Sequence, residues 1–385
     1  MTGVYFDHAA TTAVDPRVFE RLRPFFSERY GNASEIHGLG RQAREAVEQA
    51  RAQVAAALGA AEREIVFTSG GTEADNLALL GYLQRFESGH LVVGAVEHPA
   101  VVETARFLMG KGWDVTFVAV DRRGTVDVEA FQRALRPDTR LASVMLANNV
   151  VGTIQPVAVL ARLAHERGVA FHTDAVQAVG AVPVDVDELG VDLLSLSAHK
   201  IYGPKGAGAL YVRRGTRLAA ILHGGGHERR LRSGTENVPA IVGLGAAIEL
   251  AVAELPRERP RLEGLRDRLV QGVLDSIAEV SYLGHPTERL PGNACLTVRY
   301  VEGESMVLEL DARGFAVASG SACASGSLEP SHVILAMGYG PEDAHGSVRL
   351  TLGRENTEAD VEAFLAAFPE VVGRLREMSP LYAKG

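Results

Sequence analysis

Two residues in this chain can do covalent chemistry, and each sits in a run that leaves it reachable. Lys200 closes Ser197-Ala198-His199-Lys200, just after an apolar strand-like stretch at 192–196, and Gly203-Pro204-Lys205-Gly206 then turns the chain. A lysine amine beyond a strand end can condense with a carbonyl when burial or a neighbouring cation leaves it neutral. Cys323 sits in Ala318-Ser319-Gly320-Ser321-Ala322-Cys323-Ala324-Ser325-Gly326-Ser327, a run of small residues with almost nothing to bury. Such a stretch is expected to form a mobile loop carrying an exposed, reactive thiol. Judged alone, a Ser-x-His-Lys run is more often a surface lysine in a polar turn, and the thiol is as readily a nonspecific surface group. A carbonyl-binding lysine paired with a mobile thiol nevertheless points to covalent sulfur chemistry.

Other strand ends supply what such a lysine needs. Gly70-Gly71-Thr72 follows the apolar stretch ending at Ser69 and opens a helix, so backbone N–H groups and the Thr72 hydroxyl can hold a phosphate. Asp174 follows Val169-Ala170-Phe171-His172-Thr173; a carboxylate there can pair with a pyridine nitrogen, or else cap a helix. His98 can stack on a ring and move protons, while Asn149 and Gln177 offer neutral hydrogen bonds to a ring or, equally, to local backbone. Phosphate cradle, pyridine partner and lysine are the three contacts that pyridoxal 5'-phosphate requires.

Competing chemistries lack their motifs. Neither GxGxxG nor GxxxxGK[ST] occurs, which leaves dinucleotide and P-loop sites unsupported. His172, Asp174, His199, His223 and His227 match no zinc spacing, and a helical HExxH is missing; no metal is expected. A net charge of -9 argues against a general nucleic-acid binder. Two cysteines in 385 residues exclude a disulfide framework, and Cys295, between Ala294 and Leu296, reads as buried packing. With no basic-then-apolar leader and no uncharged run of membrane-spanning length, the expectation is a soluble cytoplasmic protein.

The elements that must position these residues follow from the hydrophobic pattern. Among the apolar or β-branched runs at 64–68, 91–96, 115–120, 141–146, 169–173, 192–196 and 208–212, many are nearly all apolar rather than alternating, as for strands covered on both faces. Helical spacing marks 41–58, 72–86 and 157–167. The rhythm is that of an α/β sheet with helices on both sides. The long helix from 239 is expected to break at Pro256 and resume over 262–280, giving a boundary before a smaller α+β domain. That domain carries expected strands at 295–300, 315–318 and 348–352 and helices at 305–313, 332–337 and 358–376, the last broken or kinked at Pro369.

In order and number the motifs resemble the pyridoxal-phosphate-dependent cysteine desulfurases of the class V aminotransferase group. The resemblance rests on Tyr5-Phe6-Asp7-His8-Ala9-Ala10-Thr11-Thr12, Asn32-Ala33-Ser34-Glu35-Ile36-His37, Thr68-Ser69-Gly70-Gly71-Thr72-Glu73-Ala74-Asp75-Asn76, Glu97-His98, His172-Thr173-Asp174-Ala175-Val176-Gln177, Ser197-Ala198-His199-Lys200, Arg232-Ser233-Gly234-Thr235 and Ser319-Gly320-Ser321-Ala322-Cys323. The cysteine motif resembles the housekeeping and nitrogen-fixation type with a long cysteine loop.

The resemblance implies the pyridoxal-phosphate-dependent transferase fold type I: a large domain with a mostly parallel seven-stranded sheet over 15–256, and a small domain from 1–14 with 257–385. It implies that Lys200 holds the cofactor, Asp174 contacts the pyridine nitrogen, His98 stacks on the ring and Gln177 lies near the ring hydroxyl. Phosphate contacts would come from Gly71, Thr72, Ser197 and His199, with Thr235 contributed across a homodimer interface. Arg349, Asn149 and Asn32 would hold the substrate carboxylate. L-cysteine would yield L-alanine and a persulfide on Cys323, bound for an iron-sulfur scaffold protein or a sulfur-carrier protein. An aminotransferase, a selenocysteine lyase and a noncatalytic scaffold are the alternative readings.

Overall fold

The computed structural model describes residues 3–320, 329–380 and 382. Thirteen strands occur among them: β1 (Val4–Tyr5), β2 (Ile65–Thr68), β3 (His90–Gly94), β4 (Asp114–Val118), β5 (Thr139–Ser143), β6 (Ala170–Asp174), β7 (Leu193–Ser197), β8 (Gly208–Val212), β9 (Val280–Leu283), β10 (Asn293–Val298), β11 (Phe315–Ala316), β12 (Ala318–Ser319) and β13 (Ser347–Thr351). Strands β2 to β8 form one seven-stranded sheet in the order β2-β8-β7-β6-β5-β3-β4. Every neighbouring pair is parallel except the two made by β8, which runs antiparallel to β2 and β7. All seven apolar runs read from the sequence are strands of this sheet, shifted at their ends by at most a few residues. Strands such as β2, β3, β7 and β8 are buried along their whole length, as helix cover on both faces requires.

The parallel strands aim their C-terminal ends at one edge, where ligands of open α/β sheets collect. Helix Gly71–Leu83 leaves β2 there, and helix Pro99–Met109 follows β3. A second, antiparallel sheet has the order β12-β13-β10-β9, and β1 pairs in parallel with β11. Phe6, Leu269, Val273, Leu296, Val348, Phe364 and Phe368 share one buried cluster, so the N-terminal strand packs with the C-terminal third of the chain.

Four expectations are corrected. Pro256 and Pro260 do not interrupt the long helix, which runs unbroken from Val238 to Ser276. Proline inside a helix costs roughly 3 kcal/mol through a lost hydrogen bond and a clash with the preceding turn. Both prolines face solvent, where the freed carbonyls are hydrated and the helix can curve. Its most apolar stretch is long enough to cross a membrane, yet 56% of that window is buried inside the fold. The segment after it is strand β9, not helix, with Glu279 in a left-handed turn at φ 58° between them. The expected strand at 315–318 is two short strands, β11 and β12, that serve different sheets. The final helix, Glu358–Met378, stays helical through Pro369.

Candidate active site

Beyond the strand ends lies a cavity of about 410 Å³. Gly71, Thr72, His98, Asn149, Asp174, Gln177, Ser197, His199, Lys200 and Arg349, ten of the residues singled out in the sequence, all line it. Asn32 and Thr235 do not: both are exposed, and the Asn32 side chain accepts the Ser34 N–H at 2.9 Å. Cys323 lies outside the described residues.

Each side chain arrives by simple local logic. Strand β7 ends at Ser197, and the 3-10 turn Ala198–Lys200 swings the lysine back over the strand end. The Lys200 Nζ donates to the carbonyls of Ala9 at 2.5 Å and Ala10 at 2.7 Å. Gln177 Nε2 donates to the same Ala9 carbonyl at 2.9 Å, so the N-terminal segment forms one wall. Glycine is required at 71, where a Cβ would stand 2.7 Å from Val176 Cγ2. Behind this turn the Ser197 hydroxyl is buried with no hydrogen-bond partner among the described residues.

The electrostatics are those of buried groups. Asp174, at the end of β6, accepts the Val176 N–H at 2.8 Å. Burial raises its pKa, opposed by that hydrogen bond and by the Lys200 ammonium. His98 uses Nδ1 to accept the Ala100 N–H at 3.1 Å, capping helix Pro99–Met109. Burial, then Lys200 and His332, lower its pKa to about 4. The ring is therefore neutral near pH 7, with its proton on Nε2. His199 bonds Thr11 Oγ1 through Nδ1 at 3.1 Å, and burial, Lys200 and Lys205 hold its pKa at about 4. Arg349, from β13, donates to the Asn149 carbonyl at 3.1 Å and to Asp7 Oδ1 at 2.8 Å; its buried Nε–H has no partner among the described residues.

Several contributors were not assigned roles from the sequence. Asp7 orients Arg349 across 342 positions of chain, and Ala9 and Ala10 act only through their carbonyls. Their signal was the Tyr5 to Thr12 motif itself, which names positions but no chemistry. Asp75 also lines the cavity from the second turn of helix Gly71–Leu83. Its Oδ1 stands 3.6 Å from His172 Nε2, and His172 also bonds Ser143 Oγ at 2.8 Å and Ser195 Oγ at 3.0 Å. Burial raises the Asp75 pKa well above its usual value and lowers that of His172 to about 3, so the imidazole is neutral near pH 7 and the contact is not an ion pair.

That burial has a measurable consequence. A histidine whose folded pKa is depressed contributes stability that is complete above its unfolded pKa, about 6.5, and is lost as pH falls toward the folded value. The raised carboxyls of Asp75 and Glu97 act in the opposite sense over the same window, losing their contribution as pH rises. The two effects oppose one another, and the informative quantity is a difference between variants. His172→Gln can keep both serine hydrogen bonds yet cannot titrate. Relative to the unsubstituted protein it is expected to gain roughly 2 kcal/mol between pH 7 and pH 5, measured by urea unfolding. A difference that does not change with pH contradicts the neutral assignment.

Comparison with known proteins agrees with the geometry. The family model described as aminotransferase class-V matches residues 4–364. The chain is 50% identical over 384 residues to the cysteine desulfurase IscS of Methanosarcina thermophila, covering 99% of this chain and 95% of that one. Identity to the protein of the same name from Dictyoglomus turgidum is 49% over 379 residues, with coverage of 98% and 96%. A solved structure described as a NifS-like protein superposes with a TM-score of 0.92 at 39% identity, covering 97% of this chain and 100% of the other. The α/β architecture with its mostly parallel sheet is the type I fold of pyridoxal-phosphate-dependent transferases, as the motif order implied. The chain belongs to the class-V aminotransferase family and, within it, to the cysteine desulfurases.

Proposed function

We propose that this chain converts L-cysteine to L-alanine with pyridoxal 5'-phosphate at Lys200 and receives the sulfur as a persulfide on Cys323. The observation that carries this reading is the single cavity shared by Lys200, Asp174, His98, the Gly71–Thr72 turn and Arg349.

The residues fit the cofactor. The unpaired Ser197 hydroxyl beside a glycine turn at a helix start matches a phosphate group, with Thr72 and His199 on the same wall. Asp174 offers a buried carboxylate for a protonated ring nitrogen. When bound, pyridoxal phosphate supplies an electron sink that makes the substrate α-proton removable and weakens its carbon–sulfur bond.

The protein's own groups do the rest. Arg349 binds the substrate carboxylate through its unpaired Nε–H, with Asp7 and the Asn149 carbonyl fixing the guanidinium plane. The Lys200 amine takes the α-proton once released from the cofactor. His98 has its Nδ1 engaged and carries its proton on Nε2, so it presents a hydrogen-bond donor to a group in the cavity. The Cys323 thiolate attacks the substrate sulfur: a sulfur–sulfur bond forms, the carbon–sulfur bond breaks, and the carbon keeps the electron pair and is protonated to alanine.

The assembly part of the reading is a homodimer in which Thr235, and Asn32 if it contributes, reach the partner's site. Its support is the exposed apolar surface at Phe26, Tyr30 and Ile36, which are 66%, 66% and 84% exposed. The two units are inferred as 15–256 and 1–14 with 257–385, supported by separate buried clusters. A cytoplasmic setting and delivery of sulfur to an iron-sulfur scaffold or sulfur-carrier protein complete the proposal.

Measuring alanine and sulfide from L-cysteine, beside selenocysteine and keto-acid controls, tests it. Alanine in step with sulfide supports desulfuration, whereas keto-acid-dependent amino exchange without sulfur release contradicts it. Arg349→Lys removes the fork geometry and is expected to raise KM for L-cysteine about tenfold to a hundredfold at unchanged cofactor absorbance. An unchanged KM would remove Arg349 from the substrate site.

A further inference from the structure

Four consecutive peptide carbonyls beside the cavity are all held from the antiparallel-sheet side. Asn149 O accepts from Arg349 Nη1 at 3.1 Å, Val150 O from Asn293 Nδ2 at 3.2 Å, Val151 O from Arg289 Nη2 at 3.0 Å and Gly152 O from the Leu290 N–H at 2.9 Å. The opposite edge of the same segment is tied to the parallel sheet. The Asn148 carboxamide accepts the N–H groups of Val150 and Val151, each at 2.9 Å, and donates to the Val96 carbonyl at 2.8 Å, two residues before His98. Moving this segment therefore breaks hydrogen bonds to both sheets at once.

Asn293 and Arg289 are each 2% exposed. Gly152 has φ 78°, and a Cβ there would stand 2.7 Å from Asn293 Oδ1, so the two strands of chain meet backbone to side chain with no slack. Arg289 also donates to the carbonyls of Leu283 and His285 and lies over the Tyr282 ring at 4.0 Å. Its charge is held by carbonyl dipoles and a ring face. Asn149, the first residue of the held segment, borders the main cavity and also an adjoining one of about 250 Å³ lined by Gly320, Glu329 and His332. Asn149 is thus the member of the segment that both spaces share.

We propose that Asn293 and Arg289 are positioning residues for L-cysteine: by clamping the carbonyls of 149–152 they set the Asn149–Arg349 pair that receives the substrate carboxylate. This rests on the desulfurase reading. Neither side chain lines the main cavity, so neither is a catalytic residue; both act through the clamped segment.

Asn293→Asp provides a near-isosteric test. It replaces the donor to Val150 O with a second acceptor, while giving Arg289 a counter-charge, so the release of the segment is separated from an unpaired buried cation. Two readouts are expected to move together in the cofactor-loaded protein. Amide hydrogen exchange in the peptide spanning 148–154 rises about tenfold, and KM for L-cysteine rises about tenfold while kcat changes less than threefold and cofactor absorbance is retained. Arg289→Lys keeps the charge but loses the fork, and a smaller KM increase of about threefold is expected; it serves also if Asn293→Asp does not fold. Faster exchange with an unchanged KM makes the clamp merely structural and overturns the positioning role. Unchanged exchange in both variants overturns the clamp itself. If the unsubstituted protein makes no alanine from L-cysteine, the desulfurase reading fails instead, and the exchange measurement still decides the clamp.

Discussion

Cys323→Ala is expected to bind pyridoxal phosphate as fully as the unsubstituted protein while losing at least about a thousandfold in alanine formation from L-cysteine. The reason is a division of labour. Ten of the twelve groups assigned to cofactor and carboxylate binding line the cavity, all but Asn32 and Thr235, and none of the twelve lies within eight positions of Cys323. Removing the thiol leaves that constellation whole and takes away only the acceptor of the leaving sulfur. Cys295 cannot substitute, because it is fully buried and its pKa is pushed up to about 12. The check is a visible spectrum beside alanine quantification and intact mass after L-cysteine addition. Full alanine production by the variant would take Cys323 out of the reaction.

Lys200→Ala is expected to have a loss at least as large and of a different kind. One amine is asked both to anchor the cofactor and to remove the α-proton, and general-base removal alone accounts for about a hundredfold to ten-thousandfold. The turn Ala198–Lys200 and the carbonyls of Ala9 and Ala10 hold this amine over the cavity, and no other lysine among the described residues lines it. Borohydride reduction followed by peptide mass analysis should leave the cofactor mass on Lys200 in the unsubstituted protein and on no residue in the variant. Lys200→Arg, which keeps the charge but is a far poorer nucleophile, should stay inactive. Restored turnover in that variant would show that charge alone is the requirement.

The parts of the molecule legible in the sequence are those whose physics is local. Runs such as Leu91–Gly94 and Gly208–Val212 are apolar on both faces, and strands covered on both sides tolerate that composition. Lys200, Asp174 and His98 were legible for the same reason, since each polar residue terminates or closely follows such a run. Illegible features depend on partners distant in sequence. Pro256 reads as a helix break until its solvent-facing side is known. Phe315 to Ala318 reads as one strand, although its two ends belong to strands that pair with β1 and β13, hundreds and tens of positions away. Asp7 carries no local sign that it will meet Arg349, and nothing local marks Asn293 and Arg289 as partners of the Val150 and Val151 carbonyls. Asp75 resembles an ordinary early-helix acid; its burial against His172 is a tertiary fact.

The central claim is that sulfur leaves L-cysteine at a Lys200-anchored cofactor and arrives on Cys323. Peptide mass spectrometry of the pyridoxal-phosphate-loaded protein, quenched with a thiol-blocking reagent immediately after one equivalent of L-cysteine, tests it most directly. The account predicts one added sulfur atom, about 32 mass units by atomic mass, on the peptide containing Cys323, in step with the alanine formed and absent from Cys323→Ala. Alanine released with no sulfur gained at Cys323, or sulfur gained in Lys200→Ala as readily as in the unsubstituted protein, would contradict it.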